Sequence, residues 1–349
     1  MRHLIDFDQL SLEEWDKLYN LTRAIMRDPG AYADSCKGKL VGTLFYEPST
    51  RTQLSFQAAA LRLGAQVIGF SDAASSSAAK GESLRDTIKI VANYVDAIVI
   101  RNPMEGAALA ASLYSPVPLI NAGDGAHLHP TQTLADLATI QTEKGSLNNH
   151  VVGLCGDLKN GRTVHSLLKA LSRFGGNTFV LISTDTLKIP DYVRRALEAS
   201  GARYTEVNSL EAVIGDLDIL YMTRIQKERF PSEEAYKREA GIFILDPPKL
   251  QLAKQSLMVL HPLPKLDEIT DEVDIDPRCR YFAQAEYGMY IRMALLHTLL
   301  PLKREVPKTE LFDRETVCDN PRCVTAFERY LPPLTQDGTC LYCQKDLPH

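Results

Sequence analysis

The chain has 349 residues, of which 45% are apolar and 24% are charged, a composition that predicts two or three packed domains. Its formal net charge of −5 gives no general attraction for nucleic acid or for an anionic membrane, so any anion site must be local. The N-terminus lacks a basic region followed by an apolar run, and no apolar stretch reaches about eighteen residues, which together predict a cytoplasmic protein.

Apolar runs alternate with helical patterns from Leu40 to about Ala283. We expect strands near residues 40–46, 66–70, 96–100, 117–120, 150–155, 178–182, 203–207 and 217–221. This alternation is typical of parallel sheets covered by helices, and eight strands over this length suit two domains. The sequence therefore predicts an α/β protein with two doubly wound parallel-sheet domains, joined by a helix near residues 130–144. The apolar run at residues 289–302 contains an arginine and a histidine, which favours a buried core helix over a membrane span.

Residues 46–56 follow the first predicted strand and indicate a tight turn that leads into a helix. Ser49 is a suitable N-cap, and Thr50, Arg51 and Thr52 then bring two hydroxyls and a guanidinium to the first helical turn. Together with the unpaired N–H groups of a helix start, these groups suit a bound phosphate. An ordinary capped helix with a surface arginine is the alternative.

An alanine- and serine-rich segment, residues 73–79, precedes Lys80 and Gly81. Small polar residues and a glycine predict a mobile loop, on which a lysine can swing over an anion. A flexible linker with a solvated lysine is the alternative.

Four arginines lie at or just beyond the carboxyl ends of predicted strands: Arg51, Arg101, Arg162 and Arg224. In open parallel sheets, ligands bind outside these ends of the strands. Four guanidinium groups gathered in one cleft would suit a substrate pair with several negative charges, such as a phosphate plus carboxylates. Four unrelated surface arginines are the alternative.

Two further segments carry polar or rigid features beside predicted strand ends. His127 and His129 precede Pro130, which predicts a helix start, and one of them could donate to a carbonyl oxygen as charge develops there. A purely structural histidine is the alternative. Pro262 and Pro264 follow a short predicted strand and indicate a rigid turn that exposes backbone carbonyls.

These blocks, in their order and approximate spacing, resemble the catalytic chains of aspartate carbamoyltransferases over about residues 1–303. The matching blocks are Ser49-Thr50-Arg51-Thr52, Ser76 with Lys80, Arg101, His129-Pro130-Thr131-Gln132, residues 161–166, residues 223–226 and His261-Pro262-Leu263-Pro264. Ornithine carbamoyltransferases share the first block but usually carry a cysteine where this chain has Pro262, which favours aspartate. The resemblance implies transfer of the carbamoyl group of carbamoyl phosphate to the α-amine of L-aspartate, an early step of de novo pyrimidine biosynthesis.

By position, the resemblance implies two sets of binding residues. Carbamoyl phosphate would be bound by Ser49, Thr50, Arg51, Thr52, Ser76, Lys80, Arg101, His129, Gln132, Pro262 and Leu263. Within this set, Thr52, Arg101 and His129 would polarise the carbonyl group. Aspartate would be bound by Lys80, Arg162, Arg224 and Gln226.

The resemblance also implies a domain organisation and an assembly. Residues 1–133 would bind carbamoyl phosphate, residues 134–284 would bind aspartate, and a helix at 285–303 would return to the first domain. In the family, Ser76 and Lys80 reach into the site of a neighbouring subunit, so the active unit would be a homotrimer. Catalysis would need no metal and no organic cofactor.

The C-terminal residues 304–349 carry four closely spaced cysteines: Cys318, Cys323, Cys340 and Cys343. A C-x₄-C pair followed by a C-x₂-C pair suits a tetrahedral Cys₄ zinc site, in which protein fills every position and the metal is structural. Two disulfides are the alternative, which a cytoplasmic location disfavours. Cys36, Cys155 and Cys279 are scattered, as structural thiols are.

This tail resembles the zinc-binding domain of the aspartate carbamoyltransferase regulatory chain, which in that family docks on the catalytic chain. The nucleotide-binding domain that normally precedes it has no counterpart here. Our hypothesis is that the fused module packs between catalytic chains and alters the oligomeric state without conferring nucleotide control. A zinc knuckle that merely caps the C-terminus is the alternative.

Two other functions stay open from the sequence. One is carbamoyl transfer to ornithine or another amino acid, which Arg162 and Arg224 disfavour because they suit a dicarboxylate. The other is a catalytically silent scaffold or regulatory subunit that uses the zinc module to bind a partner. A silent protein has no chemical need for the full set of polar residues, which favours the enzyme.

Overall fold

A computed structural model describes residues 1–227, 230–307, 318–336 and 338–347. Parts of the predicted zinc module, namely residues 308–317, 337 and 348–349, therefore lie outside the described residues. The described chain divides into two compact units. The first unit comprises Met1–Leu134 with Gly288–His349, and the second comprises Ala135–Tyr287. The assignment of residues 1–133 and 134–284 to separate substrates stays a prediction.

The bounds of the regular elements are as follows. The helices are α1 (Leu12–Arg27), α2 (Thr50–Arg62), α3 (Leu84–Val91), α4 (Ala107–Ser112), α5 (Pro130–Lys144), α6 (Arg162–Leu171), α7 (Asp191–Ala199), α8 (Glu233–Glu239), α9 (Pro247–Gln251), α10 (Tyr281–Leu299) and α11 (Val324–Phe327). The strands are β1 (Leu40–Phe45), β2 (Gln66–Phe70), β3 (Ala97–Asn102), β4 (Leu119–Asp124), β5 (Val151–Cys155), β6 (Thr178–Ile182), β7 (Arg203–Val207), β8 (Ile219–Met222), β9 (Met258–Leu260), β10 (Thr335–Gln336) and β11 (Thr339–Cys340).

The first unit contains a four-stranded parallel sheet in the order β2-β1-β3-β4. Strand β1 lies in the interior of this sheet, and nearly all of its residues are buried, as expected for a strand covered on both faces. At its carboxyl end Phe45 pairs with Arg101 of β3, and the N–H of Tyr46 donates to the Arg101 carbonyl at 2.8 Å. The segment that leads into α2 therefore begins beside Arg101.

The second unit contains a five-stranded parallel sheet in the order β7-β6-β5-β8-β9. The predicted α/β class with two parallel sheets is thus confirmed, and each predicted strand is present within a few residues of its expected place. The carboxyl ends of β5 and β8 lie side by side, with Cys155 paired to Met222. Gly156 follows with φ +118°, and a Cβ there would lie 2.2 Å from the carbonyl oxygen of Thr223, so this close approach requires glycine.

The apolar C-terminal run forms helix α10, as predicted, but the helix begins at Tyr281 and ends at Leu299. Its side chains are largely buried, including those of Ile291, Met293 and Leu296. Among the described residues, no helix combines the length and the apolar character that crossing a membrane would require.

The cysteine-rich tail belongs to the first unit and is docked on it. Its described part contains α11 and the antiparallel hairpin of β10 and β11. Its buried side chains, among them Val324, Leu331 and Tyr342, share one apolar cluster with the alanines of α4. The backbone of the tail also comes close to the start of α4, since a Cβ at Gly106 would lie 2.5 Å from the carbonyl oxygen of Tyr342.

Candidate active site and metal centre

The predicted phosphate segment lies on the first turn of α2, directly after β1. Ser49 occupies the N-cap position, as predicted, but its side chain makes no capping hydrogen bond within the described part of the chain. Its backbone φ of −157° and ψ of 82° differ from the usual cap geometry. Thr50 and Arg51 are exposed, whereas Thr52 is buried. The first turn therefore presents a hydroxyl and a guanidinium at its surface, as anion binding requires.

Arg101 and His129 are brought together in the first unit. Nη1 of Arg101 lies 3.5 Å from Nε2 of His129 and 3.3 Å from the carbonyl oxygen of Ala122. Nη2 of Arg101 forms an ion pair with Glu47 at 2.7 Å. His129 is buried and the Arg101 side chain is 11% exposed, whereas Glu47 lies at the more exposed side of the cluster with 28% of its side chain exposed. The sequence predicted Arg101 and His129 but missed Glu47.

His127 has a different role from its neighbour. Its Nδ1 lies 3.1 Å from Oδ2 of Asp124, a buried carboxylate that also accepts from the N–H groups of Gly106 and Leu128. Burial disfavours the imidazolium, yet the attraction and hydrogen bond of Asp124 outweigh burial and raise the pKa of His127. Of the two histidines, His127 therefore has the structural role.

The loop with Ser76 and Lys80 forms two short 3₁₀ turns, Ala73–Ser75 and Ser77–Lys80. The hydroxyl of Ser76 donates to the carbonyl oxygen of Ala73 at 2.8 Å and accepts from the N–H of Ala78 at 3.3 Å. Lys80 is exposed at the end of the second turn. The described chain therefore presents the lysine at a surface and keeps the serine within its own loop.

In the second unit, the predicted carboxylate-binding residues lie after two adjacent strands. Arg162 begins α6 beyond β5, and Arg224 follows β8 by two residues. The side chain of Gln226 donates to the carbonyl oxygen of Asn160 at 3.2 Å, which ties the two segments together. Asn160 is itself held by the buried carboxylate of Asp157. Neighbouring strands therefore bring Arg162 and Gln226 to the same end of the sheet.

The turn after β9 is fixed by His261. The N–H of Leu263 donates to Nδ1 of this ring at 2.7 Å, so Nε2 carries the proton and donates to Glu268 at 2.8 Å. Burial disfavours the Glu268 carboxylate, but the His261 contacts outweigh burial and lower the pKa of Glu268. Leu263 has a φ of +56°, which is rare for a residue with a Cβ. Hydrogen bonds thus hold Pro262 and Leu263 in a strained turn, as binding turns often are.

The four C-terminal cysteines form one buried cluster. Their sulfur atoms all lie within 4.8 Å of one another, with 3.6 Å between Cys318 and Cys343 and 3.8 Å between Cys323 and Cys340. A tetrahedral zinc site with Zn–S bonds of about 2.3 Å has S–S separations of about 3.8 Å. All four are free thiols, and the hydroxyl of Thr325 donates to the Cys323 sulfur at 3.2 Å. The cluster therefore fits a tetrahedral metal ion with a hydrogen-bonded ligand.

Two family models match consecutive parts of the chain. The carbamoyl phosphate binding domain of aspartate/ornithine carbamoyltransferases matches residues 2–143, and the Asp/Orn binding domain matches residues 148–299. The chain therefore belongs to the aspartate/ornithine carbamoyltransferase family. The cysteine-rich tail lies outside both matched ranges.

Individual relatives agree with this assignment. The chain is 58% identical to the aspartate carbamoyltransferase catalytic subunit of Clostridium novyi (strain NT) over 299 residues, which is 86% of this chain and 98% of that protein. It is similar to the catalytic subunit of M. jannaschii aspartate transcarbamoylase, with 44% identity, a TM-score of 0.80, and coverage of 86% of this chain and 98% of that one. It is also similar to Trypanosoma cruzi aspartate transcarbamoylase in complex with carbamoyl phosphate and aspartate, with 38% identity, a TM-score of 0.80, and coverage of 85% and 96%. The resemblance of the catalytic part is thereby confirmed.

Proposed function

We propose that this chain transfers the carbamoyl group of carbamoyl phosphate to the α-amine of L-aspartate. The products are N-carbamoyl-L-aspartate and phosphate, and the reaction is an early step of de novo pyrimidine biosynthesis. The observation that carries the proposal is 58% identity to an aspartate carbamoyltransferase catalytic subunit over 98% of that protein's length. The polar groups of both units support it.

The first unit, through residues 1–133, would bind carbamoyl phosphate. Its phosphate would lie on the first turn of α2, against Ser49, Thr50, Arg51 and Thr52, with Ser76 and Lys80 supplied from the loop. Arg101, His129 and Thr52 would polarise the carbonyl group, and Gln132 would bind the carbamoyl amine together with Pro262 and Leu263. The distance of 3.5 Å between Arg101 and His129 supports this assignment, because two donors on one oxygen must converge.

The second unit, through residues 134–284, would bind the two carboxylates of aspartate with Arg162, Arg224 and Gln226, while Lys80 would contribute a further charge. Guanidinium groups bind carboxylates through two parallel hydrogen bonds, which fixes orientation as well as charge. The shared position of Arg162 and Gln226 after adjacent strands supports this assignment.

The chemistry then follows from these groups. The neutral amine of aspartate donates its electron pair to the carbonyl carbon, and a tetrahedral oxyanion forms beside the donors. Collapse breaks the C–O bond to phosphate, which leaves with that electron pair, and the amine proton passes to the departing phosphate. Positioning two anionic substrates supplies about 7–11 kcal/mol, and an oxyanion donor about 3–4 kcal/mol. No metal or organic cofactor is assigned to this step.

Zinc is assigned to the tail as a structural ion, bound by Cys318, Cys323, Cys340 and Cys343. The tail, residues 304–349, would correspond to the zinc domain of the regulatory chain, and residues 285–303 to the helix returning to the first domain. The sulfur separations of 3.6 and 3.8 Å support a tetrahedral ion of this size. Zinc analysis of the purified protein should find about one ion per chain, as one Cys₄ site requires.

The active unit would be a cytoplasmic homotrimer, in which Ser76 and Lys80 serve a neighbouring subunit. Exposure of Lys80 on its own chain supports this arrangement. Sedimentation of the zinc-loaded protein tests it, since a monomer with full activity would contradict shared sites. Packing of the tail between catalytic chains stays a hypothesis. Sedimentation of a chain truncated after residue 303 tests it, because the oligomeric state should then change.

The deciding experiment for the proposed function measures carbamoyl transfer from carbamoyl phosphate to L-aspartate, with L-ornithine in parallel, on zinc-loaded protein. We expect product with aspartate alone. Product with ornithine alone would show that ornithine, and not aspartate, is the acceptor. No product with either amino acid would favour a silent scaffold.

A further inference from the structure

The first turn of helix α3 receives two of its hydrogen bonds from the cysteine-rich tail. The carboxylate of Glu328 accepts from the N–H of Leu84 at 2.8 Å, and the hydroxyl of Tyr330 accepts from the N–H of Arg85 at 2.8 Å. Helix starts leave such N–H groups without intrahelical partners. In this chain a segment about 240 residues later provides these two caps.

The remaining contacts of this turn complete the cap. The N-cap residue Ser83 accepts from the N–H of Asp86 at 3.1 Å through its hydroxyl. The guanidinium of Arg85 lies 4.4 Å from the ring centre of Tyr330, and that ring meets Tyr114 edge-on at 5.8 Å. Glu328 also places a negative charge at the positive end of the helix dipole, which adds to the attraction.

Glu328 and Tyr330 depend in turn on the cysteine cluster. Cys323 is the N-cap of the four-residue helix α11, and the N–H of Glu328 donates to the carbonyl oxygen of Val324 at 2.8 Å. The position of the capping groups is therefore fixed by a helix that begins at a predicted metal ligand. A structural metal at the four cysteines would therefore fix the fold of the tail, in addition to the packing and ion pairs that dock the tail on the first unit.

The tail is also fastened on its other side, through Glu105. The carboxylate of Glu105 accepts from Asn320 at 2.7 Å and pairs with Arg322 and Lys345, each at 3.1 Å. Glu105 is 2% exposed, so these three partners are needed to compensate its buried charge. The tail is thus docked at two places on the first unit.

Helix α3 follows directly from the loop that carries Ser76 and Lys80. A cavity of 380 Å³ is lined on one side by this loop and the α3 start, and on the other by the tail. Its lining residues include Ala73, Ala78, Glu82 and Leu84 from the loop side, and Arg322, Phe327 and Glu328 from the tail. The tail and the loop therefore face the same cavity, and the tail contacts the chain directly where the loop ends, at Leu84 and Arg85.

We propose that the metal-loaded tail anchors the start of α3 and so positions the loop of residues 73–83, which makes Glu328 and Tyr330 positioning residues for carbamoyl transfer. The inference rests on the proposed function for its catalytic part. It assigns to the tail a role within its own chain, because the capping contacts join residues of one chain. Loss of the anchor lowers the fraction of chains whose loop is ordered, and the apparent affinity for substrate falls by that fraction.

The experiment compares zinc-loaded wild-type protein with Glu328→Ala, Glu328→Gln and Tyr330→Phe. Tyr342→Phe is the matched control, because it also removes a tyrosine hydroxyl of the tail, but one that donates to the carbonyl oxygen of Pro332 inside the tail. Hydrogen exchange is measured on peptides spanning residues 73–92, and KM and kcat are measured for both substrates. Zinc content is checked for each variant, so that a tail that fails to fold is recognised.

We expect Glu328→Ala to speed exchange at Leu84, and Tyr330→Phe at Arg85, by about 2- to 30-fold, the range for loss of a capping hydrogen bond. The KM for carbamoyl phosphate should rise by up to the same factor with little change in kcat. Glu328→Gln keeps an acceptor oxygen and should restore most of the protection, and Tyr342→Phe should leave both quantities as in wild type. Removing zinc from wild-type protein should reproduce the combined effect on exchange.

Unchanged exchange in both Glu328→Ala and Tyr330→Phe would overturn the anchor. Faster exchange with unchanged KM would overturn the positioning role. An inactive wild-type chain would overturn the proposed function and the positioning role with it. An active wild type whose KM is unchanged by both substitutions would overturn the positioning role alone.

Discussion

Arg51 is exposed on the first turn of α2, beside the exposed Thr50. We expect Arg51→Ala to lower kcat/KM for carbamoyl phosphate by at least about 10- to 100-fold, because a hydrogen bond to a charged group is worth about 1.5–3 kcal/mol. Steady-state kinetics of the purified variant measures this.

Ala79→Lys is the control for that substitution, since it adds a charge to the loop beside Lys80 without removing a predicted ligand. It should change kcat/KM little. A near-normal Arg51→Ala enzyme would contradict the phosphate assignment.

His3 gives a pH-dependent contribution to stability. Its Nδ1 accepts from the N–H of Leu119 at 3.1 Å, which only the neutral ring can do. Burial, with the nearby charge of Arg2, lowers the pKa of His3 from 6.5 to about 4. The unfolded chain therefore binds the proton first, so stability is full above about pH 6.5 and is lost as the pH falls towards about 4.

The measurement is the urea midpoint of the first unit at about pH 7.5 and about pH 5. The free energy of unfolding of wild type should fall by about 1–2 kcal/mol between them through this residue, since one pKa unit is worth about 1.4 kcal/mol and about 1.5 units separate pH 5 from the ordinary pKa of 6.5. His3→Asn keeps an acceptor but cannot titrate, so its loss should be smaller. Equal losses in both proteins would assign the acid sensitivity to other groups.

At this scale, the sequence predicted residues whose role depends on type and local position. Arg101 and His129 were expected in one site, and they lie 3.5 Å apart. Glu47 was not predicted, because its pairing with Arg101 depends on the register of β1 against β3. Asp124 and His127 form an ion pair and are only three residues apart in the sequence. The acid beside the two histidines was therefore a signal from which this pair could have been predicted.

Elements of the fold were predictable where burial produces a repeating pattern. The strands of both parallel sheets are short apolar runs between helices, and the structure places them within a few residues of the expected ranges. Short elements such as α9 and the β10–β11 hairpin have no such pattern, because two to five residues cannot show a period. The contacts of the docked tail could not be predicted from the sequence, because Glu328 and Tyr330 cap a helix that lies about 240 residues earlier in the chain.

Gly106 is the N-cap residue of helix α4 and lies against the backbone of the tail, so it provides a test of docking. Its φ is +85°, and a Cβ there would lie 2.5 Å from the carbonyl oxygen of Tyr342. Gly106→Ala should therefore displace the tail as well as strain the backbone. The thermal midpoint and the rate of zinc release to a chelator are the measurements.

Gly201→Ala is the matched control for Gly106→Ala. Gly201 has a φ of +70°, but a Cβ there meets no described atom within 4 Å. It should cost about 1 kcal/mol for the left-handed backbone alone and leave zinc release unchanged. Docking through Gly106 would be disproved if the two variants released zinc at the same rate.

At the scale of the whole molecule, the two units have separate sheets and are joined by chain that passes twice between them, within α5 and α10. The tail belongs to the first unit by its contacts, although it is the last part of the chain. Metal binding at the four cysteines is therefore linked to the stability of the first unit, because an ion that binds the folded state alone stabilises it by mass action.

The one tryptophan of the sequence provides a probe for this linkage. Trp15 is buried in the first unit, where it stacks on Tyr19 at 5.8 Å. Removing zinc should shift the thermal transition of Trp15 fluorescence down by at least about 2–4 °C, the shift that corresponds to roughly 1 kcal/mol in a domain of this size. Hydrogen exchange of strands β5 to β8 should stay unchanged well below that transition, because their unit contains none of the four cysteines.

Two cysteine variants separate the metal from other thiol chemistry. Cys340→Ser removes one predicted ligand and should give the transition of the metal-free protein even when zinc is present. Cys279→Ser changes a thiol of the second unit and should behave as wild type in the Trp15 transition. If chelation shifted the transition of Cys340→Ser as far as that of wild type, the shift would arise from another metal site, and the linkage between the cluster and the first unit would be wrong.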